Sequence, residues 1–464
     1  MDSARRGRQF IVIILCAAFL VRIWVLLTTG GSAHPDEIFQ SIEPAHKLVY
    51  GYGIMAWEWT YGIRSWFLPS VYAGLLHVAR WAGVDNSLHL VFLVHFFNLL
   101  FSLTVVYAMY VIGRALQSHR AGAIAALLGA SFPLITLFAH RPLSEVPSLG
   151  CILIALALIY KNIKVKNVFT MVLAGLFLGL SFIIRFSSGL FFIPVLIFIL
   201  IKYDRRCLAG FTAALGLLLL AGGFLDYITW GSFWHAPIQY FNFNIIQHKG
   251  SFNGVEPFYW YGKLLLFNGQ FLVAFTLLLF FMMGAFRGPF LSFLCILYLL
   301  CFSFISHKEA RFMLPLYPLI LILVALGIDQ AGKALAKQEH KQKFLTVGFT
   351  IVLALFFLAV TPKTIRKEIG YTLHQRGMFL GMNFVGRQGD AKGLIYTDHW
   401  CFSGGYFYLH KNIPIVFCTP GEACPLDHCN YAITSNQSFP AFLKQGWSQV
   451  ARFDNAFVYK RLAI

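Results

Sequence analysis

The chain has 464 residues, of which 58% are hydrophobic, 48 are Phe and only 12% are charged. That composition excludes an ordinary soluble protein and describes a polytopic, mainly α-helical membrane protein. A formal charge of +18 would suggest nucleic acid in a soluble chain, but the basic residues fall in short connectors between apolar runs and no aromatic-basic recognition segment accompanies them, so nucleic acid is excluded as a partner.

Residues 1–9 carry Arg5, Arg6 and Arg8 and lead into an apolar span longer than a signal h-region, with no small-residue cleavage site. This predicts an uncleaved first helix. Runs long enough to cross a bilayer lie near 10–31, 89–112, 120–139, 143–160, 167–184, 187–202, 207–226, 264–283, 288–305, 312–328 and 344–361, giving about eleven crossings. The stretch 66–84, interrupted by Pro69, His77 and Arg80, is expected to stay at the interface.

Charge supports that parity. With a cytoplasmic N-terminus, sixteen basic residues fall in short cytoplasmic connectors: Arg5, Arg6, Arg8, Arg114, Arg120, Lys161, Lys164, Lys166, Lys202, Arg205, Arg206, Arg287, Lys333, Lys337, Lys341 and Lys343. Nine fall in the longer loops opposite, namely Lys47, Arg64, Arg80, Arg141, Arg185, Lys249, Lys263, Lys308 and Arg311. A crossing at 66–84 would largely invert this bias. The same topology puts the polar groups at 34–58, 140–145, 185, 241–261 and 306–312 on one side, which makes a single non-cytoplasmic site plausible.

Residues 1–361 are thus expected to form a membrane domain with an active-site loop at 33–88. Residues 362–464, with short strand-like runs at 393–397, 413–417 and 456–459, are expected to form a small extracytoplasmic α/β domain. Four cysteines lie there, Cys401, Cys418, Cys424 and Cys429. Two disulfides are the expected use in an oxidising compartment, with a zinc site at Cys418, Cys424, His428 and Cys429 as the alternative.

The chemistry centres on His34-Pro35-Asp36-Glu37. A carboxylate at the membrane surface suits general-base work, and Asp36 is the candidate, with Glu37 beside it as a second acid or a helix cap. Glu58 between Trp57 and Trp59 resembles a hydroxyl-binding carboxylate flanked by sugar-stacking indoles, although an interfacial aromatic belt uses the same residues. His307, Lys308, Arg311, Arg185, Arg141 and Arg22 are the candidates to hold a phosphate.

His34-Pro35-Asp36-Glu37 with Gln40 and Glu43-Pro44, Tyr50-Gly51-Tyr52-Gly53, Trp57-Glu58-Trp59-Thr60, Ile63-Arg64-Ser65, Phe241-Asn242-Phe243-Asn244, Pro257-Phe258-Tyr259-Trp260-Tyr261 and His307-Lys308-Glu309-Ala310-Arg311-Phe312 resemble, in order, glycosyltransferase family 22. That family comprises lipid-linked mannosyltransferases, and the likeness is nearest its glycosylphosphatidylinositol branch adding the third mannose. The resemblance implies a GT-C membrane fold and inverting transfer of mannose, α-1,2 in linkage, from dolichyl- or polyprenyl-phosphate mannose to a mannose-containing lipid-linked glycan. It implies no cofactor and no metal. Carried over by motif, Asp36 and Glu37 would be catalytic, His307, Lys308, Arg311, Arg185 and Arg141 would bind the donor, and His34, Glu58, Trp57, Trp59, Arg64, Asn244 and Trp260 would bind the acceptor. Ala56 and Glu145 depart from the family's usual residues, which bears on the acceptor. The membrane would be that of the endoplasmic reticulum or a bacterial inner membrane, with the site facing lumen or periplasm. The competing classes are a GT-C enzyme using another polyprenyl-phosphate sugar and a lipid or solute transporter.

Overall fold

The structure, a computed structural model, describes residues 2–267, 271–373, 375–418, 428–435 and 446–461. Among them, six helices are long and apolar enough to cross a membrane: Gln9–Thr28, Ser87–Leu116, Glu145–Asn162, Arg205–Trp230, Leu316–Leu335 and Glu339–Gly370. Shorter apolar helices span Val168–Ile184, Phe186–Lys202, Leu272–Ala285 and Pro289–Ser303. Their outward faces carry exposed Ile13, Leu20, Leu27, Ile193, Leu200, Leu220 and Phe224, the reverse of a water-facing helix and the surface that lipid covers. This is an integral membrane protein.

Local sequence sets the helix ends. Asn86, Ser118, Asn167 and Asp204 each accept a backbone N–H of the following first turn, satisfying donors that a helix start leaves open. The run expected at 120–139 breaks at Phe132, whose extended backbone precedes Pro133, into His119–Ser131 and Pro133–Phe138. Proline disfavours the helical conformation in the residue before it. The stretch 66–84 forms an amphipathic helix, Phe67–Trp81, that buries Leu68, Tyr72, Ala73 and Leu76 and leaves Val78 and Trp81 exposed. At 362 the helix Glu339–Leu373 passes through Pro362 without ending, so the expected boundary falls inside a helix.

Gly284 and Gly327 mark a close helix crossing. A Cβ on either would collide with a backbone carbonyl of the other helix, that of Leu323 or of Phe280. Near one end of this bundle Asp329 is wholly buried and receives Arg120, Gln117 Nε2 at 2.7 Å, Ser118 Oγ at 2.9 Å and Lys333 Nζ at 2.7 Å. A buried charge surrounded this way is a lock between helices, because losing one partner strands the rest.

The C-terminal residues form a five-stranded sheet of β1 (Leu394–Tyr396), β2 (Ile415–Phe417), β3 (Tyr431–Thr434), β4 (Trp447–Phe453) and β5 (Ala456–Arg461), in the order β2-β1-β3-β5-β4. β1 is parallel to both β2 and β3, whereas β5 is antiparallel to β3 and β4. Helix Arg376–Gly386 packs on it through Met378, Phe379, Met382 and Val385, in one apolar cluster with Ile38, Phe39 and Ile42 of the first loop and Phe407 and Leu409 of the segment after β1. The sheet therefore sits directly on the loop that carries Asp36. Two disulfides do not form: Cys401 and Cys429 are free thiols, while Cys418 is disulfide-bonded. Cys424, needed for the zinc alternative, lies outside the described residues.

Candidate active site

The first helix ends at Thr28, and a tight turn over residues 30–35 leads into one π-helical turn, Glu37–Ile42, continued by helix Glu43–Tyr50. Such π turns recur at functional sites because they re-aim a side chain without ending the helix. Glu37 Oε1 accepts the N–H groups of Ala33 at 2.8 Å and His34 at 3.2 Å. Its other oxygen faces the wholly buried Arg141 at 3.4 Å, which also donates to Gly31 O at 2.7 Å and Thr29 O at 2.8 Å. Burial raises the Glu37 pKa above the usual carboxylate range against the opposing pull of Arg141. Glu37 and Arg141 thus hold the turn together, both Arg141 terminal nitrogens being engaged, while its buried Nε has no partner among the described residues.

Asp36 faces the other way. Its Oδ2 accepts Arg311 Nη2 at 2.7 Å and its Oδ1 lies 3.2 Å from His34 Nδ1. Burial opposes its charge, but His34 and Arg311 outweigh burial and hold the carboxyl well below its ordinary pKa. The contact joins residues 275 positions apart in the chain.

Arg311 lies in a short 3-10 turn, Ala310–Met313, and organises a cluster of alternating charge. Its Nε donates to Glu309 at 2.5 Å and lies 3.7 Å from Glu145, which pairs with Arg185 Nη1 at 3.1 Å. Arg185 Nη1 also donates to Ser144 Oγ at 3.1 Å, and the buried Arg185 Nε has no partner among the described residues. His307 Nε2 sits 2.9 Å from Glu309 Oε1. That hydrogen bond raises the histidine's pKa, and Glu309 is driven well below its usual value by Arg311 and His307 despite burial. Lys308 donates to the backbone oxygens of Glu256 and Ile305 at 3.0 and 2.5 Å, so it ties this loop to the one before helix Trp260–Phe267.

On the opposite side of Asp36, Glu58 accepts Gln40 Nε2 at 2.9 Å and lies 3.8 Å from Arg64 Nη2. Burial raises its pKa, with Arg64 opposing and Asp36 adding to the rise. The buried Arg64 Nε has no protein partner. Trp57 is partly exposed and stacks on Phe243 at 5.2 Å, with Lys249 Nζ over that ring and Tyr61. Trp59 is buried and spends its indole N–H on Phe39 O at 2.9 Å, so it supports the catalytic loop and offers no open face for a sugar.

Thus Asp36, His34, Arg311, His307 and Arg185 are gathered around one charged cluster, with Glu58 and Arg64 flanking it. Asn244 and Trp260 are not: Asn244 donates to Tyr240 O in its own helical turn, and Trp260 packs at the bundle edge beside Tyr261. Arg22 is buried in the first helix on Gly129 O. Two acids had little signal in sequence. Glu309 and Glu145 order the cations, yet nothing in their spacing announces it. Glu43 is a further buried acid: it accepts Ile54 N at 2.7 Å, Tyr406 N at 2.9 Å and Phe407 N at 2.7 Å, and burial lifts its pKa to about 7 against those bonds. Gly405, at φ +64°, permits the contact, because a Cβ there would lie 2.6 Å from the Glu43 carboxylate.

The family model described as the Alg9-like mannosyltransferase family matches residues 12–410, which spans both loops of this cluster and the sheet's first strand. The chain belongs to the Alg9-like mannosyltransferase family. As a member it is an α-mannosyltransferase. Mannosyltransferase APTG1 of Arabidopsis thaliana is 27% identical to it, over 96% of this chain and 84% of that protein. GPI alpha-1,2-mannosyltransferase 3 of Mus musculus is 25% identical, over 89% and 74%. Among solved structures, ArnT from Cupriavidus metallidurans bound to undecaprenyl phosphate superposes with a TM-score of 0.62 at 15% identity, covering 98% of both chains. This mannosyltransferase therefore shares the GT-C fold with ArnT.

Proposed function

We propose that this mannosyltransferase moves mannose from a polyprenyl- or dolichyl-phosphate donor to a mannose-containing lipid-linked glycan, forming an α-1,2 linkage with inversion. The observation that carries the reading is the 2.7 Å contact between Asp36 Oδ2 and Arg311 Nη2. It puts a candidate base against a candidate phosphate ligand across 275 residues of chain. Arg311 and Arg185, with His307 next to them, take the phosphate of the donor, and Asp36 takes the proton of the acceptor hydroxyl as it attacks the anomeric carbon. The two roles are linked. The phosphodiester anion of the donor competes with Asp36 for the guanidinium, so donor binding draws Arg311 away and restores basicity to Asp36 where the hydroxyl arrives. His34, Glu58, Arg64 and Trp57 form the acceptor side. The undecaprenyl phosphate bound to ArnT supports the donor class, and the names of the GPI relatives support the linkage and a glycolipid acceptor.

The same reading has eleven crossings, with the N-terminus cytoplasmic and the site and C-terminal domain (about 362–464) on the lumenal side of the endoplasmic reticulum membrane. Helix occupies each of the eleven apolar runs among the described residues, and the sixteen-to-nine distribution of basic residues supports the orientation. The deciding experiment incubates purified protein with polyprenyl-phosphate [14C]mannose and candidate mannosylated lipids. Label in an α-1,2-mannosidase-sensitive product is expected, and absence of label with every acceptor would end this reading.

A further inference from the structure

β1 is where the C-terminal sheet branches. The chain leaving β1 turns toward β2, whereas β3, on the other side of β1, leads to the antiparallel pair β5 and β4. The strand order thus diverges on either side of β1, and open α/β sheets take ligands beyond the carboxyl ends of the strands at such a switch point. There Ser435 Oγ donates to Asp398 Oδ2 at 2.8 Å, and Thr397 N donates to Ile433 O at 3.1 Å. His399 N also donates to Asp398 Oδ1 at 2.7 Å, so both carboxylate oxygens are fixed, each with a lone pair left to accept a further hydroxyl.

The residues that follow reach the catalytic loop. The half-buried Trp400 ring stands 4.8 Å from that of Phe39, three residues after Asp36. Burial pushes the Cys401 thiol up to about 11, and the charges of Asp398 and Asp36 add to that rise, so both carboxylates act on the same sulfur. His399 beside them is exposed. An indole and an anchored carboxylate two residues apart at this switch point are what a hexose needs, one for its C–H face and one for its hydroxyls. None of these side chains has a part in the donor cluster.

We propose that Asp398 and Trp400 bind the sugar of the acceptor next to the one that receives mannose, so that the C-terminal sheet selects an acceptor of at least two sugars. This rests on the proposed mannosyl transfer and adds a second subsite to it.

The test uses the full-length protein in lipid nanodiscs with polyprenyl-phosphate [14C]mannose and two probes, octyl α-mannoside and octyl α-mannobioside. Trp400→Ala and Asp398→Asn are expected to raise KM for the disaccharide about tenfold while KM for the monosaccharide and for the donor stays unchanged. Trp400→Phe is expected to recover part of the disaccharide preference. Equal loss on both probes, or a fall in kcat alone, would mean that Trp400 only props Phe39 and would overturn the subsite while leaving mannosyl transfer standing. Equal KM of wild type for the two probes would do the same. Transfer by wild type to neither probe would overturn the proposed function and the subsite together. Asp398→Asn keeps the size of the side chain and the Ser435 contact, so it decides the matter if Trp400→Ala does not fold.

Discussion

Replacing Asp36 with Asn separates the two roles assigned to its carboxylate. The substitution keeps size and hydrogen-bonding capacity but removes the proton acceptor, so turnover should fall about 10²–10⁴-fold. Donor affinity should move the other way. In the unloaded protein Arg311 is held by Asp36 at 2.7 Å, and a charge-assisted bond of this kind contributes roughly 1.5–3 kcal/mol. A neutral amide holds the guanidinium less, so part of that energy passes to the phosphate and the donor should bind as well as before or up to about tenfold tighter. Equilibrium binding of a fluorescent polyprenyl-phosphate mannose, alongside single-turnover transfer, measures the two separately. Weaker donor binding would refute the competition between Asp36 and phosphate, and near-normal turnover would refute the base. Glu37→Gln gives the contrast: it leaves the buried Arg141 without its carboxylate, a loss of about 3–5 kcal/mol, and should lower the melting temperature rather than the turnover of the folded fraction.

Arg311→Lys should weaken donor binding by roughly ten- to a hundredfold, because a point charge replaces a bidentate fork, as titration with the donor would reveal. Asp329→Asn should lower thermal stability by about 3–5 kcal/mol, since it leaves Arg120 and Lys333 without their buried carboxylate, while donor affinity stays as in wild type. Glu43 binds protons more readily folded than unfolded, since its pKa is raised to about 7 from 4.5; its contribution to stability therefore declines as pH rises through that window. Denaturant titrations at several pH values should show the decline, and Glu43→Gln should flatten it. Cysteines introduced at positions 36 and 339 should label from opposite sides of the membrane; labelling from one side would refute the topology.

The apolar helices could be read from the sequence because a bilayer demands long uninterrupted hydrophobic runs, and only backbone effects such as Phe132 before Pro133 escaped that signal. Asp36, His34, Arg311 and Arg185 could be picked out because charge is rare in this chain. Which of them meet could not, since the pairing of Asp36 with Arg311 is set by helix order in three dimensions. Trp59 shows the opposite failure: an indole beside a carboxylate suggests sugar stacking, but its ring is buried and its N–H holds Phe39 O. In the sheet, β3 is buried at every position, so it lacks the alternation that marks a strand, and the alternation of β4 is interrupted by a register shift between Gln449 and Ala451. The switch point beside Asp398 depends on strand order, which no local pattern encodes.

The separation between Asp36 and Arg311 also has a consequence in time. A ribosome adding about 5–20 residues per second makes the carboxylate roughly 14–55 seconds before its guanidinium partner, and the backbone donors of Tyr406 and Phe407 that hold Glu43 follow later still. For most of its synthesis the nascent protein therefore carries Asp36 with only its neighbour His34 to hold it. The surroundings of the proposed site are complete only once residues 406 and 407 have been made, so a chain arrested before them lacks the contacts that fix Glu43.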